Sequence, residues 1–187
     1  KGTVLGGYTL EDKIGEGGFA TVFAARGPSG EIVAVKVLHP VQARQGEALE
    51  ETDRRQNEVN GRFTIETRAL RSIQSSHVVR GIAHGQEADG TRYLVMEIVP
   101  GYSLSHILDT EGLRPETALD YARYILLGLV AAHARSIVHR DVKPDNVIIG
   151  SSGQVKIIDF GAAQINGPNG LTNSHEAIAT GNKVVLG

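Results

Sequence analysis

Cysteine is absent from this chain of 187 residues. That excludes disulfides, thiolate metal sites and cysteine nucleophiles. It also suits a reducing compartment, so a cytoplasmic setting is expected. Tryptophan is absent too, and aromatic residues make up 5% of the chain, so the core must be built mainly from aliphatic side chains. No apolar run is long enough to cross a bilayer as a helix; any membrane anchor is expected elsewhere in a longer product. Neither sign of charge predominates: 19 Lys and Arg stand against 21 Asp and Glu, a formal net charge of −2. This argues against a nucleic acid or an anionic membrane surface as the main partner. Methionine occurs once, at Met96, and the first residue is Lys1. The chain is therefore read as a piece of a longer product.

What is present falls into two halves of different character. Residues 8–38 alternate and are rich in β-branched side chains, with glycines at 15, 17, 18, 27 and 30 between the runs. This pattern predicts an antiparallel meander with a turn at Gly27-Pro28-Ser29-Gly30. Residues 41–60 are rich in Gln, Glu and Arg, and predict a solvated helix or a long loop. From Phe63 to Ile73 the apolar spacing is helical. Two more strands are expected near residues 78–84 and 91–99. Helices are expected at 104–108 and from Pro115 to about Arg135, the second apolar nearly all round and so expected to be buried on several sides. Short strands at 147–149 and 155–158 flank a turn, and the tail from Ala162 reads as a polar loop.

Four features carry chemistry. The first is Ile14-Gly15-Glu16-Gly17-Gly18-Phe19-Ala20-Thr21-Val22, whose glycines remove side chains between two strands and let backbone N–H groups approach a polyphosphate. No Gly-Lys-Ser/Thr follows, which excludes the Walker loop, and a strand rather than a helix comes next, which excludes the dinucleotide fingerprint. The second is Lys36, closing an apolar strand. An ammonium there is costly without an anionic partner; Glu66 is the first candidate and Glu58 the second. The third is His139-Arg140-Asp141-Val142-Lys143-Pro144-Asp145-Asn146, a charged run set between apolar flanks. The fourth is Asp159-Phe160-Gly161, placed 18 residues beyond Asp141 and directly after an apolar strand.

In this order and spacing the four features resemble the protein-kinase signature set, in the flavour of bacterial eukaryotic-like Ser/Thr kinases. The resemblance runs from about Tyr8 to Gly187. It implies an α+β, two-lobed fold: residues 1–99 as an antiparallel β lobe with one main helix, and 100–187 as an incomplete, mainly helical lobe. It further implies ATP and Mg2+, with Mn2+ as an alternative ion, and protein substrates. By resemblance, Ile14, Gly15, Gly17, Gly18 and Val22 cover the nucleotide, Ala20 standing at the third glycine position. Lys36 holds the α- and β-phosphates and pairs with Glu66. Met96 is the gatekeeper, Glu97 and Val99 offer backbone to adenine, and Val22, Ala34 and Ile148 sandwich the ring. Asp141 accepts the proton of the substrate hydroxyl and Lys143 neutralises the transferring phosphoryl group. Asn146 and Asp159 ligate the metal, since a hard cation takes oxygen ligands, and Thr180 is the expected phosphorylation site. Lys143 points to Ser/Thr rather than Tyr as acceptor.

Two rival readings compete with a Ser/Thr kinase. A nucleotide-binding pseudokinase usually lacks the lysine, the catalytic aspartate or the metal ligands, all of which are here. A small-molecule phosphotransferase of related fold typically lacks this full catalytic loop. The other histidines (39, 77, 84, 106, 133 and 175) have no ligand spacing and read as surface or satisfied core residues. Two departures from the family pattern stand out: a long stretch at 39–61, and a chain end at Gly187, ahead of the expected Ala-Pro-Glu-like segment. With that segment absent, the helix after Pro115 is expected to leave an apolar face uncovered and to promote self-association.

Overall fold

The computed structural model describes residues 2–166. Its first part is a six-stranded antiparallel sheet in the order β1-β2-β3-β4-β6-β5, formed by Val4–Leu5, Tyr8–Glu16, Ala20–Arg26, Ile32–Leu38, Gly81–Gln86 (β5) and Arg92–Glu97 (β6). The expected meander at 8–38 is β2, β3 and β4. Strict β3–β4 pairing sets Val22 opposite Lys36, and β4–β6 pairing sets Lys36 opposite Leu94. Leu5, Leu10, Ala25, Val33, Val35, Tyr93 and Val95 form a hydrophobic cluster, aliphatic apart from Tyr93, on one face of the sheet.

One long helix, α1 (Leu49–Ser72), packs beside the sheet. Its buried Val59, Phe63, Glu66 and Leu70 repeat at the spacing of one helical face. Glu50 and Glu51 in the first turn and Arg71 in the last oppose the ends of the helix dipole favourably. The polar stretch after Lys36 is thus divided: the segment 41–48 is a loop, and the rest extends α1 at its N-terminus. The loop is tied down by Arg55, whose Nη1 lies 2.8 Å from Glu47 Oε2, and by Val41 N–H donating to Gln56 Oε1 at 2.7 Å.

The second part holds β7 (Gly101–Ser103), α2 (Leu104–Thr110), α3 (Pro115–His133), β8 (Ile137–Val138), a 3-10 turn at Pro144–Asn146, β9 (Val147–Gly150), β10 (Val155–Ile157) and β11 (Gln164–Ile165). Strands β10, β9 and β7 make a small sheet. The core cluster that includes Phe63, Leu70, Ile157 and Phe160 joins α1 to this part.

Three local expectations change. The strand expected from Val78 starts at Gly81, because His77, Val78 and Val79 instead pair with β10: Val79 N–H donates to Ile157 O and Ile157 N–H to His77 O, both at 2.9 Å. The polar tail contains a strand, β11, that pairs antiparallel with β8 and buries Ala163 and Ile165. Among the described residues helix α3 is not buried on the several sides that its composition alone suggested. It has instead the uncovered apolar face expected where the following segment is absent. Only Gly128 and Ala132 along it are buried, while Leu119, Leu126 and Val130 are 72%, 61% and 63% exposed. Among the described residues it packs chiefly on β10 and β8, along the stripe that carries Gly128 and Ala132. A Cβ on Gly128 would sit 2.8 Å from both His77 O and Ile157 Cδ1, so glycine permits that close approach.

Candidate active site

Between the two parts lies a cleft of about 560 Å3. Strands β2 and β3 roof it with a glycine-rich hairpin, closed by Gly17 N–H donating to Ala20 O at 2.8 Å. Packing within the protein does not demand glycine there. An added Cβ at Gly15 or Gly17 would meet nothing nearer than 3.6 Å, and at Gly18 nothing within 4 Å. The space that these glycines leave adjoins the cleft, where a bulky anion would have backbone amides within reach.

Lys36 projects into the cleft from the middle of the sheet. Its Nζ lies 2.7 Å from both oxygens of Glu66 and 3.6 Å from Asp159 Oδ1. Glu66 is buried, one of the few charged groups that is. Burial works against the charge on Lys36, but the Glu66 and Asp159 carboxylates outweigh it and hold the ammonium above the ordinary lysine range. Glu58, the second candidate partner, instead faces Arg54 at 3.5 Å, one turn along α1.

The opposite wall is the loop that follows β8. Arg140 and Asp159 both adopt left-handed backbone (φ 67° and 59°), a conformation costly for non-glycine residues and concentrated at functional sites. His139 is buried, pairs with the fully buried Phe160 at a ring-centroid distance of 4.5 Å, and bridges the two loops. Its Nε2–H donates to Ile158 O at 3.2 Å, and its Nδ1 accepts from Asp141 N–H at 3.3 Å. One donor and one acceptor is the pattern of a neutral imidazole, and burial accordingly pushes its pKa below the usual histidine value.

Asp141 is fixed from three directions. Asn146 Nδ2 donates to its backbone oxygen at 2.9 Å and to Oδ2 at 3.0 Å, and Lys143 Nζ lies 2.9 Å from Oδ2. Lys143 chiefly, and then Asn146, hold the Asp141 carboxyl below the usual carboxylate range. The carboxylate is therefore ionised, oriented and open to the cleft. Spending the Asn146 amide nitrogen on Asp141 leaves its oxygen as the atom for a cation. Among the described residues no cluster of three His, Cys, Asp or Glu side chains forms a metal cage. A Mg2+-type site needs none, since one or two protein oxygens plus ligand phosphates suffice.

The protein kinase domain model matches residues 8–179. This chain belongs to the protein kinase domain family. A serine/threonine-protein kinase of Corynebacterium efficiens is 36% identical over 179 residues, which is 92% of this chain and 32% of that protein. The serine/threonine-protein kinase PknA of Corynebacterium glutamicum is also 36% identical over 179 residues, 92% of this chain and 36% of its own length. A probable serine/threonine-protein kinase of Bifidobacterium longum is 36% identical over 163 residues, 86% and 20% respectively. The chain thus spans about a third or less of these relatives. Kinase membership bears out the fold expected from the motifs and implies ATP and a divalent cation as cofactors. The open glycine hairpin and the oxygen donors of Asn146 and Asp159 fit both.

The lining of the cleft in this kinase domain includes Ile14, Gly15, Gly17, Gly18, Val22, Ala34, Lys36, Glu66, Met96, Glu97, Val99, Asp141, Ile148 and Asp159, all named from the sequence, together with residues that were not, among them Leu38, Val79, Ile98 and Ile158. Lys143 and Asn146 do not line it and sit against Asp141 instead. Thr180 lies outside the described residues. Among the lining residues that sequence reading missed, Val59, Arg62 and Phe63 are presented to the cleft by α1. Their spacing from Glu66 (seven, four and three residues) was the available signal. Among the described residues no helix is long and apolar enough to cross a membrane.

Proposed function

We propose that this chain carries out ATP- and Mg2+-dependent phosphorylation of Ser and Thr hydroxyls in proteins. The observation that carries the proposal is the convergence, on one cleft, of the Lys36–Glu66–Asp159 cluster and the Asp141–Lys143–Asn146 cluster. Phosphoryl transfer depends mainly on positioning and charge stabilisation, and each of these groups has a part in it. Val22, Ala34, Ile148 and Met96 supply apolar walls for adenine, and the backbone at Glu97 and Val99 its polar edge. Lys36, steadied by Glu66, holds phosphate oxygens beneath the glycine hairpin. Asn146 and Asp159 would hold the Mg2+, which neutralises phosphate charge when bound; Mn2+ suits the same oxygen donors. Asp141 accepts a hydrogen bond from the acceptor hydroxyl and takes its proton, while Lys143 adds positive charge beside the transferring group.

The same reading treats residues 1–99 and 100–187 as the two lobes and puts the reaction in the cytoplasm, where ATP is abundant. Self-association through the exposed face of α3 is part of it. Thr180 is proposed as a phosphorylation site whose phosphate would be met by Arg140, next to the catalytic aspartate; mass spectrometry after incubation with ATP tests that assignment. For the activity itself, titration with ATP is the test. Binding should tighten on addition of Mg2+, the Asp159→Ala variant should lose that tightening, and phosphoamino-acid analysis of a general protein substrate should give phosphoserine or phosphothreonine. Phosphotyrosine alone, or no transfer, would overturn the reading.

A further inference from the structure

A buried ammonium outside the catalytic clusters ties the two walls of the cleft together. Glu97 ends β6, and its Oε1 accepts from the Arg80 N–H at 2.8 Å and from Lys156 Nζ at 2.7 Å. Lys156 is 8% exposed and stands in the middle of β10, three residues before Asp159. Taking an ammonium out of water is costly unless its geometry and partners are very good. A short contact to a carboxylate that a second donor already fixes meets that condition. Glu97 N–H also donates to Arg80 O at 3.0 Å, so the carboxylate sits on a rigid base.

Position gives the contact its meaning. In the β9–β10 ladder Lys156 pairs directly with Ile148, and directly opposed residues share a face of a sheet. Ile148 is part of the cleft wall and Lys156 is not. Lys156 therefore stands beside the floor of the nucleotide cleft and reaches across to Glu97, where the chain leaves the large sheet. From Glu97 the backbone runs on to Ile98 and Val99 on the cleft wall; from Lys156 it runs through Ile158 to Asp159. One ion pair thus connects the adenine end of the cleft with the strand that delivers the metal-binding carboxylate. It is closed in the same structure in which Lys36, Glu66 and Asp159 are engaged.

We propose that Lys156 is a positioning residue for the nucleotide: its ion pair with Glu97 holds the two sheets at the angle that keeps the adenine wall and Asp159 in register. This rests on the ATP-binding reading given above. It predicts a defect in nucleotide affinity more than in chemistry, because Lys156 touches neither the cleft nor Asp141.

The experiment measures ATP binding by titration calorimetry, together with kcat and the KM for ATP, on the full chain and its Lys156→Met and Lys156→Arg variants. Lys156→Met should raise both Kd and KM for ATP by about threefold to tenfold, with kcat within about twofold of wild type. Lys156→Arg, which keeps the charge and the reach, should stay near wild type. If Lys156→Met does not fold, Glu97→Gln serves, since it keeps an acceptor for Arg80 N–H while removing the charge; it should shift Kd in the same direction. A folded Lys156→Met with wild-type ATP affinity overturns the proposal. So does a raised kcat, which would make the pair a restraint rather than a support. Failure of the wild type to bind ATP would instead remove the reading on which the proposal rests.

Discussion

Replacing Lys36 by methionine removes the ammonium that sits 2.7 Å from both Glu66 oxygens and leaves a carboxylate that is only 3% exposed without its cation. Breaking a buried pair from one side costs about 3–5 kcal/mol. Lys36 keeps some solvent contact, its side chain being 18% exposed, which places the expectation at the low end, about 3 kcal/mol. In a domain of this size 1 kcal/mol moves the melting temperature by about 2–4 °C, so Tm should fall by about 6–12 °C. Adding Glu66→Gln removes the orphaned charge. The double variant should therefore be more stable than Lys36→Met alone, by about 1–2 kcal/mol. Turnover should follow the same logic. Lys36→Met should cripple it, Glu66→Gln should reduce it less, and the double variant should be little worse than Lys36→Met, as expected of residues acting as a unit. The assays are thermal melts without nucleotide and ATP turnover on the four proteins of the cycle. Fully additive losses in both would refute the claim that the pair is one functional element.

Neutral His139 gives a pH signature. Its folded pKa lies below the ordinary 6.5 because of burial, so the unfolded chain takes up the proton first. This contribution to stability is complete above about pH 6.5 and is lost as pH falls towards the folded value, at no more than about 1.4 kcal/mol per pH unit. Urea melts between pH 7.5 and 5.5 should show that slope, and His139→Gln should flatten it; equal slopes in the two proteins contradict the assignment. Gly128→Ala should destabilise by about 1–2 kcal/mol, because crowding against His77 O and Ile157 Cδ1 outweighs the better helix propensity; a stabilised variant in denaturant unfolding would show that the approach is looser than described. Lysine at both Leu126 and Val130 on α3 should weaken self-association in sedimentation velocity, and an unchanged distribution would acquit that face.

Much of the site could be read from the sequence because its chemistry is carried by residues whose types and spacing are constrained together. A lysine within an apolar strand demands an anion, and Glu66 had the helical phase to provide it. Where reading failed, tertiary context decided. Residues 49–60 have few apolar side chains, and their helix is settled by continuity with the amphipathic segment after Val59 and by ties from the preceding loop. Strand β11 is two residues long, too short for periodicity to reveal, and only its pairing with β8 shows why Ala163 and Ile165 are apolar. Helix α3 is hydrophobic over more of its surface than the described residues cover, so composition overstated its burial. Lys156 carries no local sign of its role, because its partner Glu97 lies 59 positions earlier.

The most direct test of the account compares wild type with Asp141→Asn, measuring transfer of labelled phosphate from ATP to a protein substrate beside ATP binding. Asp141 is held by Lys143 and Asn146, and the proposal has it face the acceptor hydroxyl while Lys36, paired with Glu66, holds phosphate. The account therefore predicts that transfer falls by about 100-fold or more while ATP affinity stays near that of wild type. Transfer that survives the substitution, or a loss of ATP affinity as large as the loss of transfer, would contradict it.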